Sequence, residues 1–259
     1  MSFHRSLAAL ALTLCALSAT GCSNTSFTFE GPSITFSQNL NSEGLEKFNA
    51  GDYEGALQVF DQIIERFPED PIGYTNRGGA LIELNMLQEA LEATNKAIEL
   101  GTEDPIAYSN HALILFKLNQ SRESLKEALT SVNKSIELSP ASADANSYNL
   151  RGTIKQNMGD NAGAMPDFSR AIELDENYVN GWSNRGATKI QLNDIQGGIA
   201  DLNRALEIDP NYALAYRFRA LAYSNLNNLT DACTDMKKAT SLGDSVATRI
   251  LEKSPGVCK

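Results

Sequence analysis

Histidine, cysteine and tryptophan are scarce in this 259-residue chain, with two, four and one of them respectively. The shortage of histidine limits the chemistry most. Beyond the opening segment only His111 remains, so it is the one imidazole that could activate a nucleophile, and no Gly-x-Ser-x-Gly turn is present. Zinc spacing is missing as well, because Cys233 has no Cys or His near it in sequence. Phosphate-cradling loops are absent: Gly78-Gly79 and Gly197-Gly198 lie within helical pattern and lack the Lys-Ser/Thr that follows such a loop. Basic residues are too few for nucleic acid, with 22 Lys and Arg against 32 Asp and Glu and a net charge of −10. No apolar run reaches the roughly 20 residues that a membrane-spanning helix needs. Together these absences point away from an enzyme, a metal site, a bound cofactor or a nucleic-acid partner.

What is present begins with an address. Arg5 precedes Leu7–Thr20, an uncharged and mostly apolar run of 14 residues, the length of a signal h-region. It leads into Ala19-Thr20-Gly21-Cys22, which resembles a bacterial lipobox, although Ala19 stands where that motif usually has Leu. The resemblance implies a signal peptide over 1–21, a lipid on Cys22 and a membrane anchor. Ser23 after the cysteine implies outer-membrane sorting, facing the periplasm. The alternative is ordinary secretion, giving a soluble periplasmic or luminal protein. Residues 22–36, with Phe27, Phe29, Ile34 and Phe36 in near alternation, read as a tether that could form a short strand. Of the four cysteines, Cys15 leaves with the signal and Cys22 takes the lipid. Cys233 and Cys258 remain, the number one disulfide needs in an exported compartment, or else two buried thiols.

The rest of the chain repeats itself. Tyr74, Tyr108, Tyr148, Trp182 and Tyr216 are spaced 34, 40, 34 and 34, and four residues after each comes Gly78, Ala112, Gly152, Gly186 or Ala220. Further small-residue columns, such as Ala164, Gly198 and Ala232, keep the same interval. Each unit holds two stretches of helical apolar spacing, joined by short turns such as Gly51-Asp52, Gly159-Asp160 and Asn193-Asp194. Helices that cross at 8–10 Å need small side chains at the crossing, and these columns supply them. Pro166 breaks the pattern: either its helix starts late, or it is kinked there.

Trp182-x3-Gly186, Ala205 and Leu206-Glu207-Ile208-Asp209-Pro210 resemble the tetratricopeptide repeat, as do Gly51-Asp52-Tyr53, Ala56 and Phe60. The resemblance implies an all-α fold, an α-α superhelix of six helix-turn-helix units over 37–70, 71–104, 105–142, 143–178, 179–212 and 213–246. A capping helix follows within 247–259, its apolar edge made by Val246, Ile250 and Leu251. It also implies a scaffold or adaptor that holds a protein or peptide segment in a concave groove. By the same comparison the groove residues are Asn76, Asn110 and Asn184, with Asn149, Arg217, Thr75, Ser109 and Ser183 beside them and Glu83, Lys117, Asn157 and Gln191 further along. A paired Lys/Arg clamp for acidic C-terminal peptides is missing. His111 shares its column with Arg77, Arg151, Arg185 and Arg219, and so reads as structural; the arginines are expected to pack between helices and meet acids on adjoining units.

Overall fold

The computed structural model describes residues 32–140, 144–253 and Cys258. Thirteen helices and no strand occur among them. They are α1 (Pro32–Asn49), α2 (Tyr53–Arg66), α3 (Pro71–Glu83), α4 (Leu87–Glu99), α5 (Pro105–Leu118), α6 (Arg122–Leu138) and α7 (Ala145–Asn157). There follow α8 (Asn161–Leu174), α9 (Val179–Gln191), α10 (Ile195–Ile208), α11 (Ala213–Asn225), α12 (Leu229–Ser241) and α13 (Ser245–Lys253). The chain divides at Gln38 into two units: of the first only the opening of α1 is described, and the second, Asn39–Lys259, holds the helix pairs. The signal segment, Cys22 and the tether up to 31 lie outside the described residues. Where the tether was expected to run to residue 36, α1 already begins at Pro32, whose fixed φ suits a first helical position.

Short polar side chains start most of the helices. Asp52, Asp70, Asp104, Asp144, Asp160 and Asp194 each accept a hydrogen bond from a backbone N–H in the first turn that follows. The turns inside the units need a left-handed residue, and the chain uses Gly51 and Gly159 at two of them and Asn85, Asn193 and Asn227 at others. From α2 onward each helix packs on its sequence neighbours, Leu40 of α1 joins the Val59 and Phe60 cluster of α2, and the first helices of successive units (α3, α5, α7, α9, α11) also touch one another. This is a solenoid of helix pairs.

The small-residue columns sit at the crossings, as the spacing requires. A Cβ added at Gly152 would lie 2.7 Å from the Phe168 ring, and one at Gly186 would meet the Gly198 carbonyl oxygen at 3.0 Å. Phe60 and Phe168 are fully buried opposite such positions. The Tyr/Trp column instead closes the boundaries between units: Trp182 Nε1 donates to the Glu176 carbonyl at 2.9 Å, and Tyr216 Oη to the Pro210 carbonyl at 3.1 Å. Pro166 is the sixth residue of α8, so that helix does not start late and runs through the proline to Leu174.

The C-terminal cap departs from expectation in part: Ile250 and Leu251 of the expected edge line an apolar cavity with Leu221, Leu229 and Met236, but the edge is not the most buried side of the helix. Ala247 is the buried residue of α13, while Val246 and Ile250 are 40% and 45% exposed. Asp244 caps the helix by accepting from Ala247 N and is held by Arg217, which sets the entry so that Ala247 faces inward. Cys233 and Cys258 are joined, their Cα atoms 5.3 Å apart, so the tail is tied to α12.

Candidate functional site

The arginine column is structural. Arg151, Arg185 and Arg219 project from α7, α9 and α11 onto Asp167, Asp201 and Asp235, with Nε–carboxylate distances of 3.0, 2.8 and 2.7 Å. The partners lie on the second helix of the same unit; only Arg77 reaches back to an adjoining unit, at Asp61. The expectation of acids on adjoining units is therefore corrected for three of four. The reason is local: the position 16 residues after Arg77 is Ala93, which cannot pair. Lys155 and Lys189 add a second cation to Asp167 and Asp201. His111 occupies the same slot in α5, its Nδ1 2.8 Å from Ser131 Oγ. Burial pushes its imidazole below the usual pKa of 6.5, against the opposing pull of the Glu127 carboxylate. The buried aspartates recur every 34 residues in sequence, a signal that a search for acids at helix ends passes over.

A trough runs along the first helices of the early units. One cavity of about 330 Å³ lies between α1, α3 and α5, and a second of about 520 Å³ between α5 and α7. Glu83, Asn110 and Leu113 line both, so the two adjoin. The larger one falls where the repeat period lengthens from 34 to 40. Its far rim is Tyr178, whose hydroxyl donates to Asn146 at 2.8 Å and is pushed up in pKa by burial.

The five expected groove residues separate by what their polar atoms already do. Asn76 Nδ2 donates to Asn41, and Asn184 Nδ2 donates to Asn149 Oδ1 at 2.9 Å. Each bond joins the first helices of neighbouring units across 35 residues, so Asn76 and Asn184 act as braces between repeats. Asn76 and Asn149 still line the cavities, whereas Asn184 lines neither. Arg217 is diverted altogether: its Nε meets Asp244 at 2.8 Å and its guanidinium stacks 4.6 Å from the Phe218 ring. The residue it meets is the cap of α13 rather than an asparagine of a neighbouring first helix. Asn110 alone keeps its whole amide unbonded, half-buried where the two cavities meet. Of the side positions, Thr75 and Ser183 are fully buried with unpartnered hydroxyls. The trough wall is more apolar than the sequence columns indicate, because Phe48, Ile106, Leu113 and Phe116 join it from positions off those columns.

Residues 41–105 match one family model described as tetratricopeptide repeat, and residues 145–178 and 179–212 match another with the same description. The matched segments together span just over half of the sequence. This chain belongs to the tetratricopeptide-repeat family. Solved structures of similar fold include YrrB, described as a TPR protein with an unusual peptide-binding site; it is 24% identical, with a TM-score of 0.57 over 75% of this chain and 97% of that one. Pseudomonas aeruginosa pilF is 12% identical with a TM-score of 0.69, covering 84% of this chain and 97% of its own. A tetratricopeptide repeat protein from Parabacteroides merdae is 19% identical with a TM-score of 0.59, over 83% and 97%. At these identities the likeness is one of fold. The family and fold are typically those of non-enzymatic protein-binding scaffolds.

Proposed function

We propose that this tetratricopeptide-repeat protein is a non-enzymatic adaptor, exported and anchored through a lipid on Cys22, that holds a segment of a partner protein in the trough of α1, α3, α5 and α7. One observation carries the binding reading: Asn110, an amide that both donates and accepts, stands unbonded at the junction of two cavities, the first mostly apolar and the second mixed. The peptide-binding site attributed to YrrB agrees with it. Anchoring is supported by the 14-residue apolar run and the Ala19-Thr20-Gly21-Cys22 ending, and no helix among the described residues is long and apolar enough to cross a membrane. Ser23 supports an outer-membrane site facing the periplasm. The departure at Ala19 favours a second reading, a soluble exported form of the same adaptor.

Two experiments test this. Mass spectrometry of the mature N-terminus is expected to show an acylated Cys22; a free, unmodified N-terminus would support the soluble form. For the trough, Gly79→Leu introduces a bulky side chain beside Asn110. Its Cβ would meet nothing closer than 3.5 Å, so the fold should survive while the first cavity fills. Partner capture from the native envelope should fall with an unchanged circular-dichroism melt; capture equal to that of the unsubstituted protein would remove the trough as the binding surface.

A further inference from the structure

The two adjoining cavities are lined by acidic groups and by none that are basic. Glu83 borders both and Asp144 borders the second, and no Lys, Arg or His contributes to either wall. Neither carboxylate is in an ion pair. Glu83 is exposed at the end of α3, and Asp144 accepts only the capping bonds of α7, from Ser147 and Asn146. Of the cations on these helices, Arg77 pairs with Asp61, and Arg151 and Lys155 with Asp167; Lys117, exposed at the end of α5, is in no ion pair and lines neither cavity. Between the two acids the wall of the second cavity is mixed, with Leu113, Phe116 and Leu150 beside Ser109, Asn149 and Thr153, while the first cavity is mostly apolar and its Ile106 is 55% exposed. A second, independent feature points to a ligand. Thr75 lines the first cavity with its hydroxyl fully buried and without a partner, although buried hydroxyls are almost always hydrogen-bonded. Asn110 adds an unbonded amide between the cavities.

From this arrangement we infer that the trough takes an extended peptide segment with bulky aliphatic or aromatic side chains flanked by lysine or arginine, and rejects segments with acidic flanks. The inference rests on the trough being the binding surface. The apolar anchors would fill the first cavity and the Leu113, Phe116 and Leu150 side of the second, and the backbone would meet the Asn110 amide. The basic side chains would pair with Glu83 and Asp144. The chain's overall charge of −10 acts in the same direction, drawing basic segments and repelling acidic ones. Selectivity comes from the acids, and the rejection of acidic flanks is as much a part of it as the attraction of basic ones.

A positional-scanning library of blocked decapeptides, passed over the immobilised mature protein at low and at physiological salt, tests the inference. Retained pools should be enriched in Leu, Ile and Phe at interior positions and in Lys or Arg at the flanks, with the flank preference weakening as salt rises. Glu83→Gln combined with Asp144→Asn, which keeps the helix cap, should reduce affinity for a selected basic-flanked peptide about tenfold. The same pair of substitutions should leave its Gln-flanked counterpart within about twofold. Asn110→Ala should weaken both peptides alike. Retention of neutral or acidic flanks, or an unchanged preference in the Gln/Asn variant while Asn110→Ala still weakens binding, overturns the charge inference and leaves the trough standing. Binding that ignores Asn110→Ala, or no retained peptide at all, overturns the trough reading and this inference with it.

Discussion

At the scale of single residues, Asp201 and Glu207 sit six positions apart on α10 and do very different amounts of work. The Asp201 side chain is 6% exposed and receives both Arg185 and Lys189 at 2.8 Å, whereas Glu207 is 65% exposed and meets only Arg204, at 3.0 Å. Asp201→Ala leaves two cations facing an apolar gap, and because both remain partly solvated the cost should be about 2–4 kcal/mol. Glu207→Ala should cost under about 0.5 kcal/mol. Urea midpoints at constant m-value check the contrast, and equal losses at the two sites would contradict it. His111 sets a pH dependence. Its folded pKa lies below the ordinary 6.5, so the unfolded chain takes up its proton first as pH falls. Its contribution is complete above pH 6.5 and is eroded below it, at up to about 1.4 kcal/mol per pH unit until the folded pKa is reached. The stability difference between pH 7.5 and pH 5.5 should therefore shrink in His111→Gln; an unchanged difference would assign it to other groups. Tyr212, pushed up to about 12 chiefly by burial, stays protonated throughout that range and donates to Asn180.

Among the elements, the crossing of α9 and α10 brings backbone oxygens closest to an added Cβ at its glycines. A methyl at Gly186 meets the Gly198 carbonyl at 3.0 Å and Leu202 Cγ at 2.9 Å, and a backbone oxygen cannot rotate away. Alanine gains up to about 1 kcal/mol in helix propensity, but overpacking costs about 1–3 kcal/mol. Gly186→Ala should therefore destabilise by about 1 kcal/mol, in contrast to Gly79→Ala, whose Cβ has room and which should stabilise. Thermal melts of the two variants should shift in opposite directions. The helix pairs were legible in the sequence because crossing geometry demands small residues at a fixed interval, and turns demand Gly or Asn there. Which of the two courses α8 takes at Pro166, and the outward turn of Val246 in α13, were not. Each is decided by packing on neighbouring helices, which a one-dimensional pattern does not contain. The groove residues were legible as a column but not as a site. Asn76, Asn110 and Asn184 look equivalent in sequence, and only the pairing with Asn41 and Asn149 shows which amide remains available.

For the molecule as a whole, contacts run between neighbouring units, so a local change at one end should stay there. The Cys233–Cys258 bridge closes a 25-residue separation around α12 and α13. In the chain-entropy picture such a loop contributes about 3–4 kcal/mol. Reduction should accelerate hydrogen exchange in α12 and α13 and leave α3 to α7 unchanged; faster exchange throughout would show a single cooperative unit instead. The trough, several repeats away, should keep its partner under the same reduction. Its working residue is tested most directly by comparing partner capture by Asn110→Ala and Asn184→Ala, with unfolding curves for both. Asn110→Ala is expected to lose capture at unchanged stability, while Asn184→Ala loses about 1 kcal/mol of stability with the Asn149 bond and keeps capture. Undiminished capture by Asn110→Ala, with loss in Asn184→Ala, would contradict a trough centred on Asn110.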